Sequence, residues 1–323
     1  MARMSHPGLR LAVAGAAHPH VAYVLDELPL RTDVELVGIS DPDPALARRY
    51  RVLSYADHRS LLDAQRPDVV VVAGIYSERG PVVVDALRAG AHVIADKPLC
   101  TSLSDVDAIA AAASGTGRSV SLLLEKRGHP ETLAARALLD SGALGSLALI
   151  AASGPHKLNR GSRPSWFLDR STYGGVVADL AVHDIDLVLW LTGAREGTVS
   201  AVGDALHGAV LLRAGEVAAT IEVSWLTPDA APWHGDYRMR LTGTGGTAEL
   251  MWARGELTAV TQDRPPWTVA LPPSRRPAAA ALDALAAGQE PEVGTSASLL
   301  ATRIALLAQD SADGGGVVHR WAA

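Results

Sequence analysis

The sequence predicts two linked folds: an N-terminal doubly wound parallel sheet of the α/β class over residues 1–126, then an α+β domain over 127–323 with an open, mainly antiparallel sheet. Three observations predict this. Through the first 126 residues, apolar runs of strand length alternate with helical segments, the pattern of right-handed strand–helix–strand crossovers. Beyond residue 193, short runs follow one another across Gly-rich or charged turns, the pattern of consecutive antiparallel strands. With 323 residues, 48% of them hydrophobic and 20% charged, the chain is long enough to bury two cores.

Each element has a local reason. LRLAVAG (9–15) is a short apolar run ending in Gly, as a buried parallel strand should be. Pro19 opens a helical segment in which Val21, Val24, Leu25 and Leu28 form one apolar stripe. VELVGIS (34–40), PDVVVVAGI (67–75) and AHVIAD (91–96) are the next strands. PVVVDALRAG begins with Pro81 and stops at Gly90, which fits a helix. An Ala-rich helix over about 104–114 leads into a fifth strand, RSVSLLLEK (118–126). In the second domain, helices are expected at about 131–141, 176–192 and 297–312. Strands are expected in VSAVGDAL, GAVLLRAG, EVAATIEVSW, YRMRLTG, GTAELMW and ELTAV. The proline-rich stretch 263–278 reads as an irregular excursion. Helices can cover only one face of this sheet, so Val223, Trp225 and Met239 suggest a homo-oligomeric interface, in a homodimer or homotetramer.

Composition narrows the partners. A net charge of −6 gives no basic patch for nucleic acid, and no apolar run reaches the ~20 residues that span a bilayer. MARMSHPG lacks the apolar core of a leader, and the single cysteine, Cys100, forms no internal disulfide; both favour the cytoplasm.

Sheets of the doubly wound kind bind ligands beyond the carboxyl ends of their strands, and GAAHPH (15–20) stands at the first such end. Against the G-x-G-x-x-G pattern that cradles a dinucleotide pyrophosphate, it offers Gly15, Ala17 and His20. Asp41 ends the second strand, close to the offset at which a carboxylate meets the adenosine ribose. There it accepts hydrogen bonds from the ribose hydroxyls and repels a 2′-phosphate, so NAD is favoured over NADP. His18 and His20 alone do not make a metal site, because no carboxylate is near them in sequence, and no metal is expected.

Two further stretches resemble the Gfo/Idh/MocA family of nicotinamide-dependent oxidoreductases. AGAHVIADKPLC (89–100) matches its acidic-Lys-Pro motif at Asp96, Lys97 and Pro98, with Asp in place of the more usual Glu. YGGVVADLAVHDIDLVLWLTG (173–193) matches its Gly-Gly-x-x-x-Asp-x-x-x-His motif at Gly174, Gly175, Asp179 and His183. KRGHP (126–130), LLDSGALGSL (138–147) and LTGTGGTAEL (241–250) extend the resemblance over most of the chain. One departure is GIYSERG (74–80), where the family commonly has Thr-Pro-Pro or similar. The resemblance implies a Rossmann domain binding NAD through Gly15, Ala17, His18, His20, Asp41, Gly74, Asp96 and Lys97, and it sets Lys97 beside the nicotinamide.

The residues themselves suit that chemistry. Asp179, His183 and Asp186 share one face of an otherwise apolar helix, and a buried polar stripe requires a reason. An alcohol releases hydride only when its hydroxyl proton has an acceptor, and imidazole changes charge near neutral pH. His183 and Lys97 are therefore candidates to handle the proton, with Asp179 positioning. The polar segment 154–175 precedes this helix. Its His156, Lys157, Asn159, Arg163, Trp166 and Tyr173 offer donors and aromatic faces for a polyhydroxylated small molecule. The reading is NAD(H)-dependent hydride transfer at a hydroxyl-bearing carbon of a sugar, cyclitol or related polyol. Two alternatives stand beside it: a catalytically silent sensor or scaffold, and a hydrolase or epimerase that oxidises its substrate transiently and retains NAD.

Overall fold

The structure, a computed structural model, describes residues 8–50 and 52–323. The reading of the N-terminus as lacking a leader core falls on residues 1–7, outside the described residues. The chain forms two compact units, the first comprising residues up to Leu123, Ser171–Tyr173 and Arg276–Leu299, and the second the remainder. A single cut at residue 126 would leave Arg276–Leu299 in the second domain.

The first unit carries β1 (Leu9–Ala14), α1 (Ala22–Leu25), β2 (Val34–Ser40), α2 (Pro44–Arg49), β3 (Ser54–Tyr55) and α3 (His58–Gln65). They are followed by β4 (Val69–Val72), α4 (Arg79–Arg88), β5 (His92–Ala95), α5 (Leu103–Thr116) and β6 (Val120–Leu122). All six strands are parallel in the order β3-β2-β1-β4-β5-β6. The four valines of β4 are fully buried, each contributing about 2 kcal/mol of apolar burial. Val69 and Val71 pack with Leu11 and Val13 of β1, Ile39 of β2 and Ile94 of β5. Ala278, Ala281, Leu282 and Leu285 of the late helix α9 (Pro277–Ala286) close over this core.

Three elements depart from expectation here. The helix after Pro19 is broken into a 3-10 turn at Pro19–Val21, the single turn α1 and another 3-10 turn at Leu28–Leu30, where Pro29 removes a backbone donor. The fifth strand stops at Leu122, and Glu125–Gly128 form a 3-10 turn. Between β2 and β4 the chain adds α2, β3 and α3, whose polar sequence lacks a strong apolar period.

The second unit holds α6 (Pro130–Asp140), β7 (Leu147–Pro155), α8 (Val176–Thr192), β8 (Glu196–Gly203), β9 (His207–Ala214) and β10 (Val217–Ser224). The strands β11 (Arg238–Gly243), β12 (Gly246–Met251), β13 (Glu256–Thr261), β14 (Arg264–Thr268) and β15 (His319–Ala322) complete it. Its sheet runs β14-β13-β12-β11-β7-β10-β9-β8-β15, antiparallel except for the parallel pair β7 and β10. The short helix α7 (Arg170–Tyr173) precedes α8, and α10 (Thr295–Asp313) follows α9.

In β9 and β10 alternate side chains point inward, so Val210, Leu212, Ile221 and Val223 lie on the face that α8 covers. Val223, Trp225 and Met239 are therefore core residues, not the exposed apolar face that an interface would need. That face instead presents Leu149, Val202 and Leu211, each more than half exposed. The 263–278 excursion also needs correcting. Arg264–Thr268 form the edge strand β14, where Pro265 and Pro266 are tolerated because the ladder with β13 is irregular there. Among the described residues, no helix is long and apolar enough to cross a membrane.

Candidate active site

In the first unit, the ends of β1, β2, β4 and β5 bring the expected cofactor residues together. Gly15 ends β1 with φ +87°, and a Cβ there would lie 2.7 Å from Gly74 Cα, so only glycine allows this approach of the two strand ends. The turn is tied at both sides: Gly15 N–H donates to Ser40 O at 2.8 Å, and His18 N–H to Ala73 O at 2.8 Å. Ala17 is half-buried within it. Asp41 is buried at the end of β2, where its Oδ2 accepts Ala16 N–H at 2.6 Å and its Oδ1 accepts Asp43 N–H at 2.8 Å. Each oxygen keeps acceptor capacity for a ribose hydroxyl. Two glycines in close approach, a carboxylate at the neighbouring strand end and a backbone turn between them fit a dinucleotide.

The two histidines do have a carboxylate partner, contrary to the expectation from sequence. Asp96 at the end of β5 is fully buried, with Oδ2 at 2.9 Å from His18 Nδ1 and Oδ1 at 2.8 Å from His20 Nδ1. The three donor atoms lie within 4.8 Å of one another. Arg79, however, donates from Nη2 to Asp96 Oδ2 at 2.8 Å, placing a permanent positive charge on the same carboxylate and opposing a dication there. Burial pushes the His18 imidazole down to about 4, against the pull of Asp96. Burial alone would raise Asp96, but the field of His18, His20 and Arg79 outweighs it and holds the carboxyl well below its usual range. Since His18 is neutral at pH 7, Arg79 is the permanent charge among those three.

Arg79 does more than pair with Asp96. Its Nη1 donates to the carbonyls of Asp96 and Pro98, each at 2.8 Å, its Nε donates to Gly74 O at 2.9 Å, and its guanidinium stacks 4.3 Å from the Tyr76 ring centroid. It thus clamps the segment that carries Lys97, which is buried and followed by a cis bond to Pro98. Sequence reasoning missed Arg79, although GIYSERG was marked as a departure.

In the second unit, α8 presents Asp179, His183 and Asp186, all buried, together with Asp184. Gly174 and Gly175 open the helix with φ +89° and +111°, and Gln309 fills the space a Cβ at Gly175 would take. Gln309 Oε1 accepts the N–H of Val177 at 3.0 Å and of Ala178 at 3.3 Å, capping the helix in place of a local side chain. The turn Glu125–Gly128 matches α8 residue by residue. Glu125 Oε1 is 3.5 Å from His183 Nε2, Lys126 Nζ donates to Asp184 Oδ1 at 2.7 Å, and Arg127 grips Asp186 through Nε at 2.7 Å and Nη2 at 2.5 Å. Asp186 is thus a structural anchor. Asp184, Glu125 and the anchoring roles of Lys126 and Arg127 were not anticipated; KRGHP was the only signal.

The segment after β7 is more structural than expected. Lys157 Nζ donates to Asp229 O at 2.8 Å and Ala231 O at 2.6 Å, tying down a turn. Arg163 donates from Nε to Leu158 O at 3.0 Å and stacks on Phe167 and Trp225. Asn159 takes φ +49° in an exposed turn, its carbonyl accepting from Ser162. His156 packs edge-on to Trp225, His234 and Tyr237, and Lys126 Nζ lies 5.1 Å from the Tyr237 ring centroid. These contacts join an aromatic wall to the polar face of α8. Trp166 packs half-buried on Phe167, and buried Tyr173 belongs to the first unit.

Comparison with known proteins matches stretches of both units. Residues 9–123 match the oxidoreductase family model for an NAD-binding Rossmann fold, and 132–249 the GFO/IDH/MocA C-terminal domain. Scyllo-inositol 2-dehydrogenase (NAD(+)) of Bacillus subtilis is 24% identical over 74% of this chain and 72% of its own length. Myo-inositol 2-dehydrogenase of Thermotoga maritima is 23% identical over 78% and 75%. Levoglucosan dehydrogenase in complex with NADH shares the fold at TM-score 0.83 and 20% identity, covering 97% of this chain and 99% of that one. The chain belongs to the Gfo/Idh/MocA family of oxidoreductases, and residues 9–123 are its NAD-binding Rossmann domain.

Proposed function

We propose that this NAD-dependent oxidoreductase transfers hydride between NAD(H) and a hydroxyl-bearing carbon of a cyclitol, sugar or related polyol. The observation that carries the reading is the buried polar face of α8, where Asp179 and His183 interrupt an otherwise apolar helix. The cyclitol and sugar dehydrogenases it resembles support the substrate class.

Gly15, Ala17, His18, His20, Asp41, Gly74 and Asp96 would hold the dinucleotide, and bound NAD+ supplies the hydride acceptor. His183 takes the proton of the substrate hydroxyl, and the ammonium of Lys97 stabilises the developing alkoxide. Asp179 holds a substrate hydroxyl or the imidazole. Trp166 and His156 offer aromatic and donor groups to the polyol, whereas the ammonium of Lys157 is committed to its turn. Asp41 favours NAD over NADP. The exposed Leu149, Val202 and Leu211 favour assembly through the outer face of the second unit's sheet, as a homodimer or homotetramer. The single cysteine agrees with a cytoplasmic location.

The test is incubation with NAD+ and a panel of inositols, aldoses and glycosides. NADH formation with a member of the panel supports the reading. Substrate consumption without net NADH would point to transient oxidation with retained cofactor, and absence of both NADH binding and turnover to a silent sensor.

A further inference from the structure

Three successive residues of one short turn face three polar residues of α8. Lys126 and Arg127 form buried ion pairs with Asp184 and Asp186, and Arg127 is gripped at two points. Such pairs are held tightly, because breaking one leaves a charge stranded away from water. The turn is fixed further by Gly128, whose carbonyl accepts Arg275 N–H at 2.8 Å and where a Cβ would strike Arg275 O at 2.3 Å. The residue just before these two anchors is Glu125, whose carboxylate lies 3.5 Å from His183 Nε2, with the histidine side chain 3% exposed and the glutamate 20%.

We propose that Glu125 is a positioning residue that holds the His183 ring in place and stabilises its imidazolium, the form reached when His183 accepts the substrate's hydroxyl proton. The proton passes from the substrate oxygen to the imidazole, and Glu125 stays ionised throughout. This rests on the proposed role of His183.

The surrounding charges favour the same outcome. On α8 itself Asp184 and Asp186 pair with Lys126 and Arg127, Asp179 stands one helical turn before His183, and the carboxylate at 3.5 Å from the ring is that of Glu125. Of the strands packed on α8, β7 has no titratable side chain, and His207, Arg213 and Glu222 of β9 and β10 are exposed on the opposite face. On α10, Asp310 pairs with His319, and Asp313 with Arg170.

The test compares Glu125→Gln, Glu125→Asp and His183→Gln with wild type, each first titrated with NADH to show an intact cofactor site. In the pH profile of kcat/KM for alcohol oxidation, E125Q should move the acidic limb down by about one pH unit. Its plateau rate should fall several-fold, and E125D should restore most of both. An unmoved limb in E125Q, with H183Q inactive, overturns the role of Glu125 alone. Full activity in H183Q overturns the role of His183 and this inference with it. Nitrogen-15 titration of His183 reads the same quantity directly, with E125D as the variant that keeps the charge should E125Q fail to fold. Compared with E125D, in which the carboxylate stands one methylene further back, and with E125Q, the wild-type imidazole should titrate highest, and the same value in all three overturns the proposal.

Discussion

Arg79 and Asp96 form a fully buried ion pair, Nη2 to Oδ2 at 2.8 Å, at the segment carrying Lys97. The guanidinium also satisfies three backbone carbonyls, so one side chain fixes the carboxylate, the chain direction around Pro98 and the glycine at the end of β4. Removing it would leave Asp96 charged and buried with only two imidazoles beside it. Arg79→Ala should lower stability by about 3–5 kcal/mol in denaturant unfolding. Arg79→Lys, which keeps the charge but loses the fork, should recover part of that. Wild-type stability in R79A would contradict the clamp.

The buried imidazole of His18 makes stability depend on pH. Unfolded, it takes up a proton below about its ordinary value of 6.5, but folded only at about 4. Between those values the unfolded chain binds more protons, so stability falls as the pH is lowered through the window, by up to about 3 kcal/mol. Unfolding free energies measured across pH 4 to 7 should show this slope, and His18→Gln should flatten it.

Asp41 is expected to select the dinucleotide. Asp41→Ala should weaken NADH binding roughly tenfold, the loss of a charge-assisted hydrogen bond, and narrow the preference over NADPH. Nicotinamide fluorescence titrations check both numbers, and unchanged affinity for the two nucleotides would remove Asp41 from the site.

Lys157 was expected at the substrate, yet its ammonium bonds two carbonyls of a turn. Lys157→Met should therefore cost about 1–3 kcal/mol of stability and leave KM within about twofold. A large rise in KM without a stability change would return it to the substrate.

The elements that were legible in the sequence are those whose apolar pattern is strong over a long stretch. Helix α8 matches its expected 176–192 at both ends because Gly175 and Gly193 punctuate it, and β2 matches at 34–40. Strand β7 was not anticipated, because LALIAASGP alternates weakly and ends in small residues, and α3 was hidden by its polar composition. The polar positions on α8 were visible as misfits in an apolar helix. Their partners were not, because Glu125, Lys126 and Arg127 lie about 58 positions away and only the fold brings them to Asp184 and Asp186. The same holds for Asp96, which is 76 positions from His20.

The most direct measurement of the central claim is the rate of hydride transfer in a single turnover at saturating NAD+ with the best substrate of the panel, in wild type, Lys97→Met and His183→Gln. NADH affinity is to be measured on the same three proteins. Each substitution should slow transfer at saturating NAD+ by roughly 10²–10⁴-fold; His183→Gln should leave cofactor affinity little changed, and in Lys97→Met the loss of transfer should far exceed any loss of affinity. Transfer within a few-fold of wild type in both variants would contradict the assignment of proton handling to Lys97 and His183.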